Sequence, residues 1–208
     1  MFMRDFISFG VLFVSLFFSI ATAQRFSVDG DTIYFSTLYA ADAPGINWDD
    51  VTEFDNLLRA NPAIKNVVLE SEGGDLYAGL EIGRMFIDFA VDTKVTVFCE
   101  SACAYAFLGG QNRILGRGGR LGFHRSWWAP ENMRSYYESE KSYYGWKTPF
   151  DFSSWVVEDT QNDTYMIMSM MLERGVDAAF AVETLKAEPS DMWYPYPKQL
   201  RTANVVTE

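Results

Sequence analysis

The chain reads as a single α/β domain built on a mostly parallel sheet. Three observations predict this. Strand-like and helix-like stretches alternate along most of its length. Aliphatic, aromatic and sulfur residues make up 49% of the 208 residues and charged ones 22%, which supplies a core and excludes a disordered chain. No internal repeat or low-complexity linker divides the sequence.

The elements follow in order. "RFSVDGDTIYFSTLY" reads as a β-hairpin turning at Asp29-Gly30. "NWDDVTEFDNLLRANP" reads as a helix, with Asn47 as its cap, acidic residues in its first turn and Pro62 beyond its end. "AIKNVVLES" is a buried strand, and "GGDLYAGLEIGRMFIDF" a turn followed by a helix. "KVTVFC" is the next strand and "SACAYAFLGG" the next helix. "RILGRGGRLGFH" is strand, Gly-rich turn and strand. From Arg125 to Trp155 the pattern predicts an irregular insertion dense in Trp and Tyr. "NDTYMIMSMMLERGVDAAFAVETL" predicts two helices broken at Gly175, and the Pro-containing tail ends in a short strand at Asn204-Val205-Val206.

Charge narrows the function classes. The formal net charge is −11, so a phosphate backbone is repelled and nucleic-acid binding is not expected. The amino terminus carries an export pattern. Arg4 precedes an uncharged run from Phe6 to Ile20, and Ala21-Thr22-Ala23 follows. That run spans 15 residues, short of the ~20 a membrane helix needs. The expectation is a signal peptide at 1–23, a domain at 24–208 beginning with Gln24, and no stable membrane span after cleavage. The alternative is an uncleaved anchor. Export implies an oxidising compartment, expected to be a bacterial periplasm.

Three places hold candidate chemistry. His124 is the single histidine, at the end of the short strand "RLGFH", and a general base near neutral pH is most often histidine. The plain alternative is a structural histidine. Ser101 sits where a strand turns into a small-residue helix. It reads either as a helix N-cap or as a nucleophile at a helix N-terminus, where the dipole favours developing negative charge. Gly73-Gly74 lies between a strand and a helix. It is either a plain turn, with Asp75 capping the helix, or a pair of exposed N–H groups suited to an oxyanion. No metal ligand set and no cofactor is assigned.

Taken together, strand-Gly-Gly-helix, strand-Ser-helix and strand-His occur in that order. The sequence here resembles the Clp-type serine peptidases of the crotonase-like ββα superhelical fold. The matching stretches are "SEGGDLYAG" from Ser71, "ESACAYAFLGG" from Glu100 and "RLGFH" from Arg120. The spacings are 27 residues from Gly74 to Ser101 and 23 from Ser101 to His124. The resemblance is strongest from Ala63 to His124, and points to exported, Clp-like periplasmic proteins. It implies a serine peptidase or hydrolase acting on a peptide or protein. Ser101 is then the nucleophile, His124 the base, and the N–H groups of Gly74 and Ala102 the oxyanion hole. A homo-oligomer is compatible with it, although the aromatic insertion lengthens the region that supports oligomer contacts in that family. Two departures stand out: Glu72 replaces the family proline, and Glu100 adjoins the nucleophile.

The candidate carboxylates after His124 include Glu131, Asp151, Glu158, Asp159, Asp163, Glu173, Asp177, Glu183, Glu188 and Asp191, and periodicity does not choose among them. The resemblance selects Asp191 as the third triad member, because it precedes an aromatic pair, Trp193 and Tyr194, a short helix and an apolar end. Its distance from His124, 67 residues, exceeds the family's usual spacing, and the insertion absorbs the excess. The alternative is that Asp191 only caps a turn.

Two further expectations complete the reading. Cys99 and Cys103, the only cysteines, flank Ser101 in an exported chain, so they are expected to form a disulfide; the alternative is two buried thiols. The insertion at about 125–155 is expected to form a lid or partner surface; the alternative is a satellite core. The competing function is a non-catalytic binding module on the same fold that uses those aromatics. An acyl-CoA or thioester hydrolase is disfavoured, because acyl-CoA is not expected outside the cytoplasm.

Overall fold

The computed structural model describes residues 24–38, 44–188 and 190–208. The expected signal peptide and its cleavage site after Ala23 lie outside the described residues. β1 (Phe26–Asp29) and β2 (Thr32–Ser36) form the antiparallel hairpin, with Asp29 opposite Thr32. β3 (Asn66–Ser71), β4 (Asp92–Glu100), β5 (Arg113–Leu115) and β6 (Arg120–Gly122) extend it as parallel strands. The sheet order is β1-β2-β3-β4-β5. β5 and β6 share β4: β5 lies beside Thr93–Val95, and β6 beside Phe98–Glu100. The far end of β4 is therefore flanked by β3 on one side and β6 on the other.

α1 (Trp48–Ala60) follows β2 and is capped by Asn47, with Asp50 completing a capping box. Arg25 Nε donates to the buried Asp50 carboxylate at 2.7 Å and ties the first strand to this helix. α2 (Leu76–Asp88) follows β3, and α3 (Ala102–Leu108) follows β4. Every residue of α3 is buried, which is why its residues are small or apolar. α2 approaches it closely at Gly79, where a Cβ would lie 2.5 Å from the Ala102 carbonyl oxygen. On the hairpin side the core is aromatic: Phe26, Phe35, Phe54 and Phe86 pack with centroids 4.8–5.1 Å apart.

The expected irregular insertion is instead helical. α4 (Pro130–Tyr144) begins on a proline, and α5 (Pro149–Glu173) has Pro149 in its first turn and a Thr148–Asp151 capping box. The aromatics pack between these helices rather than into the main core. Trp146 stacks on Tyr144 at 4.6 Å and meets Trp155 at 5.2 Å. No residue of α4 is buried. α6 (Ala178–Glu183) follows the break at Gly175, and α7 (Pro197–Thr202) lies in the tail.

The expected closing strand does not form a ladder. The tail is fastened by backbone bonds beyond that segment, Thr207 N–H donating to the Arg113 carbonyl at 3.0 Å, and by the buried Arg113 side chain, which donates to the carbonyls of Val205 at 2.9 Å and Asn204 at 2.6 Å. Burial, with the nearby Arg174 charge, lowers the Arg113 pKa to about 10. Among the described residues no helix is long and apolar enough to cross a membrane.

Candidate active site

Ser101 stands between β4 and α3 with φ +52 and ψ −124, a conformation side chains rarely adopt. Its neighbours impose it. β6 holds the Ser101 N–H through the Gly122 carbonyl at 2.9 Å, while the fully buried α3 fixes the chain beyond. The hydroxyl makes no hydrogen bond to the backbone of α3, so Ser101 is not a side-chain cap. Its Oγ lies 2.8 Å from Nε2 of His124.

His124 leaves the end of β6, one residue past the bridge that pairs Phe123 with Trp193. Its Nδ1 is 2.7 Å from the Arg125 carbonyl oxygen. A carbonyl only accepts, so Nδ1 carries the proton and Nε2 presents a lone pair to the Ser101 hydroxyl. The tautomer is the one a general base requires.

The Gly-Gly turn is set beside this pair. Buried Ser71 receives the Gly73 N–H at 3.1 Å, and the Ile46 segment brackets the turn through Gly73 and Asp75. A Cβ on Gly73 would meet the Ser101 side chain at 2.7 Å, so only glycine admits this approach. Asp75 caps α2 through the Ala78 N–H at 2.9 Å. Among the described residues the N–H groups of Gly74 and Ala102 donate to no protein acceptor. Gly74, Ser101 and His124 line one cleft of about 230 Å³. Cys99 and Cys103 bracket the turn as a disulfide, with Cα atoms 5.2 Å apart.

Asp191 is not brought to His124. The antiparallel bridge sets the register: Phe123 and Trp193 exchange both backbone hydrogen bonds at 2.9 Å. Continued by one residue, that register places Met192 opposite His124, and alternation sends the Asp191 side chain to the other face. Met192 packs over Gly122, whose added Cβ would meet it at 2.8 Å. Asp191 instead sits at a surface depression with Glu183 and Lys186, its N–H closing a turn onto the Glu188 carbonyl at 2.9 Å. Among the described residues no side-chain carboxylate hydrogen-bonds the His124 ring.

Glu100, which adjoins Ser101, is engaged by a tyrosine. Tyr194 donates to it at 2.6 Å, and burial together with that carboxylate pushes the tyrosine pKa up to about 12. The aromatic insertion divides in two. Trp127 and Trp128 line the cleft, whereas Tyr143 and Phe150 are solvent-exposed on the far part of the hairpin.

Tyr77 and the pairing of Asp159 with Asp163, two of the candidate carboxylates, complete the cleft and were not expected there. The two acids are four residues apart on α5, one turn of a helix, and that spacing was the available signal. Tyr77 donates to Asp159 at 3.4 Å. Burial raises the pKa of both acids, and for Asp163 the charges of Asp159 and Asp75 add to it.

No protein-family model matches the chain, and no curated protein matches it. A solved structure does: a mutant of ClpP1 from Listeria monocytogenes superposes with a TM-score of 0.57 at 16% identity, covering 86% of this chain and 90% of that one. The chain has a Clp-like, crotonase-type α/β fold. At that identity the likeness concerns the fold.

Proposed function

We propose that this chain is an exported serine hydrolase, a peptidase of the Clp-like type, working in the periplasm of a bacterium. One observation carries the reading: a serine in a strained strand-to-helix turn, hydrogen-bonded at 2.8 Å to a histidine whose tautomer leaves Nε2 free to accept its proton. The apolar leader ending in Ala-Thr-Ala and the Cys99–Cys103 bridge support export.

The chemistry follows from the geometry. Ser101 Oγ attacks a peptide carbonyl carbon as His124 Nε2 takes the hydroxyl proton. The carbonyl oxygen gains the displaced electron pair and is met by the unpaired N–H groups of Gly74 and Ala102. The C–N bond breaks as the imidazolium returns its proton to the leaving nitrogen. Water then attacks the acyl-serine by the same route, His124 removing its proton and returning it to Ser101 Oγ. The Arg125 carbonyl holds Nδ1–H throughout. It fixes the tautomer as a triad carboxylate does, but without a full negative charge.

A fluorophosphonate probe tests this. Labelling of the folded wild-type protein, abolished in Ser101→Ala, is the expected result. No labelling of a folded wild-type protein would favour the non-catalytic binding module.

A further inference from the structure

We infer that Asp163 and Asp159 form a cation-recognising wall of the cleft, so that the preferred substrate presents a lysine or arginine side chain beside the bond offered to Ser101. The inference rests on the hydrolase reading above and names its substrate class.

Asp163 is 9% exposed, and its Oδ1 is buried without a hydrogen-bond partner. It lines the Ser101 cleft and an adjoining one of about 230 Å³. The two clefts share Ser126, Trp127, Trp128, Asp159 and Asp163, so the acids form a wall common to both. A buried carboxylate oxygen without a donor is costly unless something supplies one. Among the described residues none donates to Oδ1; the Tyr77 hydroxyl serves both carboxyls, but it is neutral and lies 3.4 Å from Asp159. Among the described residues neither acid is paired with a lysine, arginine or histidine, and the protonated nitrogen of His124 is held by the Arg125 carbonyl.

The surroundings specify what kind of donor fits. Trp127, Trp128 and Trp155 line the adjoining cleft with the acids, and indole faces attract ammonium and guanidinium groups. Two carboxylates bordered by three indoles suit an organic cation better than a hard metal ion, which takes about six or more oxygen ligands. Burial holds both carboxyls above their usual range, a cost that a bound cation reverses. The net charge of −11 favours approach of basic peptides.

The test titrates benzamidine and its neutral isostere benzamide into the exported protein. Tryptophan fluorescence reports binding, and fluorophosphonate labelling is followed in parallel. Benzamidine is expected to bind at least about tenfold more tightly than benzamide and to slow labelling, since both clefts share one wall. Asp163→Asn and Asp159→Asn, each shown folded by circular dichroism, should erase the preference. Equal binding of the two compounds, or a preference that survives both variants, overturns the inference. The readouts separate the two readings. A benzamidine preference without labelling upholds the acidic wall and breaks the hydrolase reading. Labelling without a preference breaks the wall alone.

Discussion

The Ser101 turn and the α4–α5 hairpin both border the cleft, yet they are built in opposite ways. The turn is held by backbone: Gly122 on one side, Gly73 on the other, and a wholly buried α3 beyond. The hairpin is held by aromatic rings packed on one another, with no buried residue in α4. Backbone-on-backbone packing leaves no tolerance for an added methyl group, whereas rings on a solvated surface rearrange. Precision is concentrated at the Ser101 turn, and adaptability on the aromatic hairpin.

Four variants test that contrast. The largest effect is expected at Gly79, where a Cβ would press on the Ala102 carbonyl at 2.5 Å. Gly79→Ala should cost on the order of 2–3 kcal/mol and slow probe labelling, because it shifts the N–H of Ala102. Thermal melting and labelling rate check both, and an unshifted melt would show that the turn is not tightly packed. Next comes the disulfide. Cys99→Ser with Cys103→Ser removes a short closed loop and should cost about 2 kcal/mol, read as a lower denaturant midpoint at unchanged slope.

Asp163→Asn should move stability the other way. Its carboxyl titrates above the ordinary range in the folded state, so folding favours the protonated form. Wild-type stability from this group is present at low pH and is lost as pH rises from the unfolded carboxylate pKa through the raised folded value. The variant should therefore melt like wild type at low pH and be about 1 kcal/mol more stable near neutrality. A constant difference across pH would mean that Asp163 bears no unrelieved charge. The smallest effect is expected in the hairpin: Tyr143 is 82% exposed, and Tyr143→Ser should change stability by less than about 0.5 kcal/mol.

Local signals explain what was legible in the sequence. Asn47 with Pro62 marked α1, and Gly30 marked the hairpin turn, whose loop is Gly30-Asp31, one residue beyond the expected Asp29-Gly30. The order Gly-Gly, Ser, His placed three parts of the cleft on successive strand ends. The misses came where local signals compete or are silent. The Tyr and Trp density from Trp127 to Trp155 hid two helices whose starts were written in Pro130 and in the Thr148-x-x-Asp151 capping box. Asp191 was misplaced because register decides which face a side chain takes, and the Phe123–Trp193 bridge is a long-range pairing. The Ser101 φ is likewise set by β6 and α3 together, not by the residues beside it.

In the proposed mechanism His124, aimed by a main-chain carbonyl rather than by Asp191, activates Ser101. Comparing fluorophosphonate labelling rates of His124→Ala and Asp191→Asn with the wild type tests it most directly. Labelling is expected to fall by about 10²–10⁴-fold for His124→Ala and to stay near the wild-type rate for Asp191→Asn. A loss on the order of 10⁴-fold in a folded Asp191→Asn protein, the effect of removing a triad carboxylate, would contradict it.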